Sequence, residues 1–265
     1  AVHDPGSAII YLAFFFVLNR EGLTLAYIIL GCTSIILFIA TILVGVKIII
    51  GSLFIIISIY LIYKIYRNNR FLQFNWMRVV AIYLFSSLFI FSADYSYNHV
   101  LKKHQRDRFE VILGKTSDTK QIGYNSDQSI QTISSGKFWG KGFLEGDKTQ
   151  GNFVPAQDTD YIFSVVGEEW GFVGSSLVIL LFIALLFRII HRAEKHANKF
   201  GRIYGYGVAS ILFFHLIVNI GMVIGLIPTV GIPLPFFSYG GSSLWGFTLL
   251  LFIFIKLDAE KSYDW

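Results

Sequence analysis

Two carboxylates one residue apart, Asp158-Thr159-Asp160, stand directly before the apolar run Tyr161-Ile162-Phe163-Ser164-Val165-Val166. A carboxylate at the mouth of a helix has two uses. It can cap the helix, accepting from free N–H groups and complementing the dipole. It can also take a proton from a substrate hydroxyl, with the same dipole holding it ionised. On these residues alone both uses stay open.

The run behind the doublet carries more polar groups. Acids inside a membrane helix are costly and point to function, so Glu168 and Glu169 are candidates, with exposure at the interface as the plain alternative. At 100° per residue, Ser164, Gly167, Gly171 and Gly174 fall within about 40° of Asp160, while Glu169 points the other way and Glu168 lies about 80° off. One face is therefore small, which predicts close helix packing and a structural role for Gly171 and Gly174. His215 and Asn219 share a face at i, i+4 and read as hydrogen-bonding glue between helices. Gly221 and Gly225 form a second small-residue pattern. Pro228, Pro233 and Pro235 fall within the 16 residues 228–243 together with three glycines. No helix survives that density, so a rigid loop is expected. Its N–H groups with Ser238, Ser242 and Ser243 suit an anion, or simply cap the next helix. Arg106, Arg108, Lys137 and Lys141 are cations for a phosphate-bearing substrate, or a solvated charged face. There is no P-loop, H-E-x-x-H, G-x-S-x-G or nucleic-acid motif.

The elements that must position these groups are membrane helices. The chain of 265 residues is 54% hydrophobic and 15% charged, with mean hydropathy +0.61; soluble domains carry about 25% charged residues. A span needs roughly 20 apolar residues. Seven spans are expected: 7–18, 23–44, 46–63, 79–93, 161–190, 204–227 and 244–255. The domain reading is four spans over 1–94, a polar loop over 95–159, and three spans over 160–265 with the Pro/Gly loop 228–243. Lys64, Arg67, Arg70 and Arg78 lie between spans three and four. Arg188, His191, Arg192, Lys195, Lys199 and Arg202 lie between spans five and six. Lys256 and Lys261 follow the last span. These all fall on one side, which the positive-inside rule places in the cytoplasm. The 95–159 loop is then outside. It is too long for that rule, and its aromatic residues predict packed short helices or turns rather than a disordered tether. The single cysteine, Cys32, excludes an intrachain disulfide. The opening Ala1-Val2-His3-Asp4-Pro5-Gly6 has no initiator Met and no signal-peptide pattern, and is expected to continue something longer.

Several stretches resemble the SEDS family (shape, elongation, division and sporulation). They are Gln105-Arg106-Asp107-Arg108, Asp118 with Gly123-Tyr124, Gln128-Ser129, Gly136-Lys137-Phe138-Trp139-Gly140-Lys141-Gly142-Phe143, Phe153-Val154-Pro155, Thr159-Asp160-Tyr161-Ile162-Phe163, Glu168-Glu169-Trp170-Gly171-Phe172-Val173-Gly174, and Asn219-Ile220-Gly221-Met222 through Gly225 to Pro228. The most specific is Gly231-Ile232-Pro233-Leu234-Pro235-Phe236-Phe237-Ser238-Tyr239-Gly240-Gly241-Ser242-Ser243, whose Gly-Ile-Pro-Leu-Pro-Phe form looks like the RodA branch. Asp4-Pro5-Gly6-Ser7 resembles the family's Pro-Asp-Leu-Gly-Ser with two residues exchanged.

The resemblance implies an all-α polytopic fold of ten helices, of which these seven would be the last. It implies a peptidoglycan glycosyltransferase in the bacterial cytoplasmic membrane. Such an enzyme polymerises lipid II during cell elongation and shape maintenance, releasing undecaprenyl pyrophosphate with inversion, on the outer face. It carries the family's essential acid onto Asp160. The implied substrate-binding set is Arg106, Arg108, Gln128, Ser129, Lys137, Lys141, Glu168, Glu169, Ser238, Tyr239, Ser242 and Ser243. Gly171, Gly174, His215, Asn219, Pro228, Pro233 and Pro235 are read as structural. No cofactor is fixed by the resemblance; a divalent cation, Mg or Mn, is one carrier of positive charge it allows. Implied partners are a class B penicillin-binding protein, the cell-elongation machinery and membrane lipid, with no nucleic acid. A lipid flippase or transporter, a non-catalytic scaffold for the transpeptidase, and a membrane glycan ligase or acyltransferase are the rival readings.

Overall fold

A computed structural model describes residues 10–68, 76–101, 103, 106–107, 110 and 124–260, with 64–68 and 78 described by main chain only. Nearly all regular structure among the described residues is helical, with no strand, and the chain is a multi-pass membrane protein. Six helices there are long and apolar enough to cross a bilayer. The first expected span begins outside the described residues and continues as the short helix α1, Phe14–Arg20.

Two compact units divide the chain: Leu25–Asp107, and Ala1–Thr24 with Arg108–Trp265. The expected division at residues 94 and 159 follows polarity, whereas these units follow packing. In the first unit, α2 (Leu25–Val44) and α3 (Val46–Asn68) are separated by Gly45, whose φ of +94° suits glycine. Both pack on α4, Trp76–Tyr95, which runs into a π-helical turn, Ser96–Val100. Arg106 donates to the Asn98 carbonyl at 3.2 Å in this unit.

In the second unit the long loop contributes α5 (Tyr124–Ser135) and the single turn α6 (Asp147–Gln150). The helices α7 (Ile162–Glu194), α8 (Lys199–Val223) and α9 (Gly241–Glu260) follow. The α8 helix is the buried hub. Val208, Leu212, His215, Leu216, Asn219 and Met222 are all enclosed. A Cβ on Gly205 would collide with Ala193 of α7 and Phe254 of α9, so a small residue is required where three helices converge. Asn198 caps α8 by accepting from the Phe200 N–H at 2.9 Å. That cap starts the helix five residues before the expected Tyr204. It ends at Val223 rather than Ile227, because Gly225 turns left-handed at φ +76° and Leu226 N–H returns to the Gly221 carbonyl at 2.7 Å. The Gly221/Gly225 pattern is thus a helix terminus folding Ile227 back over Gly221, not the helix–helix contact expected of it.

The α7 helix is 33 residues, about 50 Å at 1.5 Å per residue, against a hydrocarbon core of about 30 Å. It is broken at Gly171 (φ 63°, ψ −159°). The expected straight wheel therefore does not run through this point. Residues 137–142 take up the backbone groups that the break orphans. Lys141 and Gly142 N–H groups donate to the Glu168 and Glu169 carbonyls, both at 3.0 Å. Phe172 and Val173 N–H groups donate to the Lys137 and Phe138 carbonyls at 3.0 and 3.2 Å. Side chains would not fit between the two segments. A Cβ on Gly136, Gly140 or Gly171 would strike the facing backbone, and one on Gly167 would strike Ile133 of α5. The small face of α7 receives the long loop at Gly167 and Gly171, while the atoms nearest a Cβ on Gly174 are those of Trp170 in its own helix.

Candidate active site

Asp160 lies in a run of turns that ends at the start of α7. The N–H groups of Thr159, Asp160 and Tyr161 converge on the Ala156 carbonyl at 3.2, 3.1 and 3.2 Å. The three following carbonyls are each gripped from outside the segment. Asp158 O accepts from Tyr239 N at 2.7 Å. Thr159 O accepts from Ser238 Oγ at 2.6 Å. Asp160 O accepts from Asn219 Nδ2 at 2.8 Å. The Pro/Gly loop and α8 thus fix the backbone on which the carboxylate stands. The capping position of α7 belongs to Tyr161, which makes no side-chain cap bond, so neither aspartate occupies it. Asp160 is half-buried and Asp158 exposed. A Cβ on Gly231 would lie 3.3 Å from Asp160 Oδ2. Glycine at that position, left-handed at φ +72°, keeps the carboxylate face open.

The Pro/Gly loop is rigid for identifiable reasons. Ile232, Leu234 and Pro235 are buried, while Pro228 and Pro233 remain partly exposed. Ser238 Oγ accepts from Leu234 N at 2.7 Å. His215 Nδ1 pairs with the Pro233 carbonyl at 3.1 Å; a carbonyl only accepts, so this ring nitrogen carries the proton. His215 and Asn219 therefore hold loop carbonyls, where bonding between helices was expected. Ser238 and Ser243 are engaged with main-chain groups, Ser243 Oγ donating to the Gly240 carbonyl at 2.9 Å. Ser242 and Tyr239 project outward.

Glu168 lies wholly enclosed, and five donors meet its carboxylate. Ser135 Oγ (2.9 Å), Lys141 Nζ (2.7 Å) and Lys148 N (3.2 Å) reach Oε1. Thr149 N (2.8 Å) and Thr149 Oγ1 (2.7 Å) reach Oε2. Glu168 ties α5, the 141–149 turn and α6 to α7, and is not exposed at the interface. Lys141 also pairs with Asp147 at 3.0 Å. Its ammonium is held above the ordinary lysine range first by Glu168 and then by Asp147. Glu169 is buried. Ser129 is buried with its hydroxyl on the Val223 carbonyl at 2.9 Å, again a structural tie. Gln128 stays partly exposed on α5. Lys137 is exposed, left-handed at φ +53°, and forms no ion pair among the described residues. Arg106 belongs to the other unit. Arg108 lies outside the described residues, as do Gln105, Asp118, Gly123 and Asp4 to Ser7.

Sequence reasoning missed Gly231 as the neighbour of the carboxylate, and Ser135 and Thr149 as ligands of Glu168. The left-handed demand at Gly231 carried a signal in its Pro-rich setting; Thr149 carried none. Among the described residues no three His, Cys, Asp or Glu side chains group as a cation site. An apolar crevice of about 560 Å³ lies between α1, α7 and α8, with Arg20, Glu194 and Tyr206 on its rim. It sits at the basic end of α7, away from Asp160 at the other end.

Several known proteins are similar to this chain. Peptidoglycan glycosyltransferase RodA of Treponema pallidum (strain Nichols) is 36% identical over 162 residues, covering 61% of this chain and 37% of that protein. Peptidoglycan glycosyltransferase MrdB of Escherichia coli (strain K12) is 43% identical over 145 residues, covering 55% of this chain and 39% of that protein. The matches thus span well under half the length of these curated relatives. A chain in a solved peptidoglycan synthase complex superposes with a TM-score of 0.52 at 21% identity, covering 97% of this chain and 89% of that one, which supports the fold. The family model for FtsW, RodA and SpoVE, described as cell cycle protein, matches residues 74–263, and this chain belongs to that family, the SEDS family its motifs resemble.

Proposed function

We propose that the protein containing this chain is a peptidoglycan glycosyltransferase that polymerises lipid II at the outer face of the bacterial cytoplasmic membrane, with Asp160 as the base. The observation that carries this reading is the half-buried Asp160 carboxylate beside Gly231, on a backbone whose carbonyls at 158, 159 and 160 are all held. The names of the relatives, peptidoglycan glycosyltransferases, agree with it.

The chemistry needs little else. Undecaprenyl pyrophosphate leaves without a strong acid. The acceptor sugar hydroxyl attacks the anomeric carbon as the carbon–oxygen bond to pyrophosphate breaks. Asp160 takes the hydroxyl proton, and in-line attack inverts the centre. Positive charge is still required for the leaving group. Lys137, exposed on the same compact unit as Asp160, is the proposed source, since Lys141 is already paired with Glu168. The partner in synthesis is a class B transpeptidase, in keeping with the crosslinking named for the similar complex.

The test is lipid II polymerisation by the full-length protein, with and without its transpeptidase. Asp160→Asn and Asp160→Ala should each lose at least about 10²-fold in rate while accumulating normally in the membrane. Glycan strands made at the wild-type rate by either variant would sink the assignment. Lipid movement without polymerisation would favour a flippase.

A further inference from the structure

Asn219 joins the Asp160 backbone to the Pro/Gly loop through one side chain. It is 0% exposed. Its amide nitrogen donates to Asp160 O at 2.8 Å and to Ile232 O at 2.7 Å. Two carbonyls can only accept, so the amide orientation follows from its partners. Both N–H bonds are used, and Asn219 Oδ1 is left buried without a hydrogen-bond partner among the described residues. An unsatisfied buried oxygen costs stability. An apolar residue of similar volume would avoid that cost only by leaving both carbonyls without this donor. The Ile232 carbonyl follows Gly231, whose Cα faces Asp160 Oδ2. One amide thus ties the main chain under the carboxylate to the main chain beside it.

We propose that Asn219 is a positioning residue for Asp160. Its two hydrogen bonds set the distance between the carboxylate and the Gly231 edge of the Pro/Gly loop, and so the point at which the acceptor hydroxyl meets its base. Asn219 acts through the backbone and does not touch substrate. The inference rests on the proposed glycosyltransferase reading and on Asp160 as its base. A misplacement of about 1 Å at a reacting group can cost on the order of 10²-fold, so loss of the clamp should appear in turnover more than in substrate affinity.

The experiment uses full-length protein in lipid II polymerisation, with kcat and KM measured separately for Asn219→Leu and Asn219→Asp. The Leu variant should lose about 10- to 100-fold in kcat, with KM for lipid II within about twofold. The Asp variant keeps the shape but donates only when protonated, and then to one carbonyl. Its activity should fall with rising pH along a limb absent from the wild type. A merely structural role would lower the amount of folded protein and leave the pH profile of the remainder unchanged. If Asn219→Leu does not accumulate, the Asp variant carries the test alone. Wild-type kcat in a folded Leu variant, or a wild-type pH profile in the Asp variant, overturns the proposal. An inactive wild type overturns the function instead, and a fully active Asp160→Asn overturns Asp160 as its base, so these failures are told apart.

Discussion

Lys141 Nζ lies 2.7 Å from Glu168 Oε1, and the Glu168 side chain is entirely enclosed while that of Lys141 is about a quarter exposed. The pair spans 27 residues, joining the long loop to the first half of a broken membrane helix. A buried carboxylate is tolerated only when its lone pairs are filled, and here five donors fill them.

Removing the carboxylate should loosen the loop. Glu168→Ala leaves the Thr149 hydroxyl and two main-chain N–H groups without this acceptor, while the Ser135 hydroxyl keeps the Thr132 carbonyl at 2.7 Å. A stability loss on the order of 2–4 kcal/mol is expected. Thermal unfolding followed by tryptophan fluorescence, with proteolysis of the 136–149 segment, checks it. Unchanged melting and cleavage would contradict the role. Lys141→Met, removing a partner that water reaches, should cost less.

The Lys141 contribution has a defined pH dependence. Its folded pKa is raised above 10.5. The stabilisation is therefore full below the unfolded lysine value and fades only as pH rises through the still higher folded value. The stability difference between wild type and Lys141→Met should stay flat from about pH 6 to pH 9 and shrink only at strongly alkaline pH.

Gly171 and Gly140 should refuse alanine. A Cβ on either would meet the opposite backbone, and both are left-handed, at φ 63° and 83°. Gly171→Ala should lower stability by about 1–3 kcal/mol or more. Gly31 and Gly51, on the membrane helices α2 and α3 with open space around them, are the controls, and their alanine variants should melt no lower than wild type. Comparable melting of Gly171→Ala and these controls would argue against the loop–helix seam.

Gly231→Ala tests the open edge beside the base. The new Cβ would stand 3.3 Å from Asp160 Oδ2 in a left-handed backbone. Polymerisation by the full-length protein should fall by about 10-fold or more, with expression close to wild type. Full activity would mean that this edge is not where the acceptor approaches.

The class and most of the helices were legible in the residues alone. Apolar runs of span length, separated by charge clusters, are local properties of composition, so the later spans were legible to within a few residues. The boundaries that moved did so for local reasons as well: the Asn198 cap lengthened α8 at its start, and left-handed Gly225 shortened it at its end. The Asp160 candidate and the Pro/Gly loop were also readable, because turn chemistry and a family resemblance reside in contiguous residues. Tertiary structure alone decided what those residues do to one another. Asn219 reaches Asp160 across 59 residues, and Glu168 reaches Thr149 across 19. No helical wheel records such pairs. A wheel also assumes an unbroken helix, and Gly171 breaks this one. The small face that suggested a membrane-helix contact instead admits a loop, because backbone groups orphaned at the break must find partners, and only glycines let another backbone come close enough to supply them.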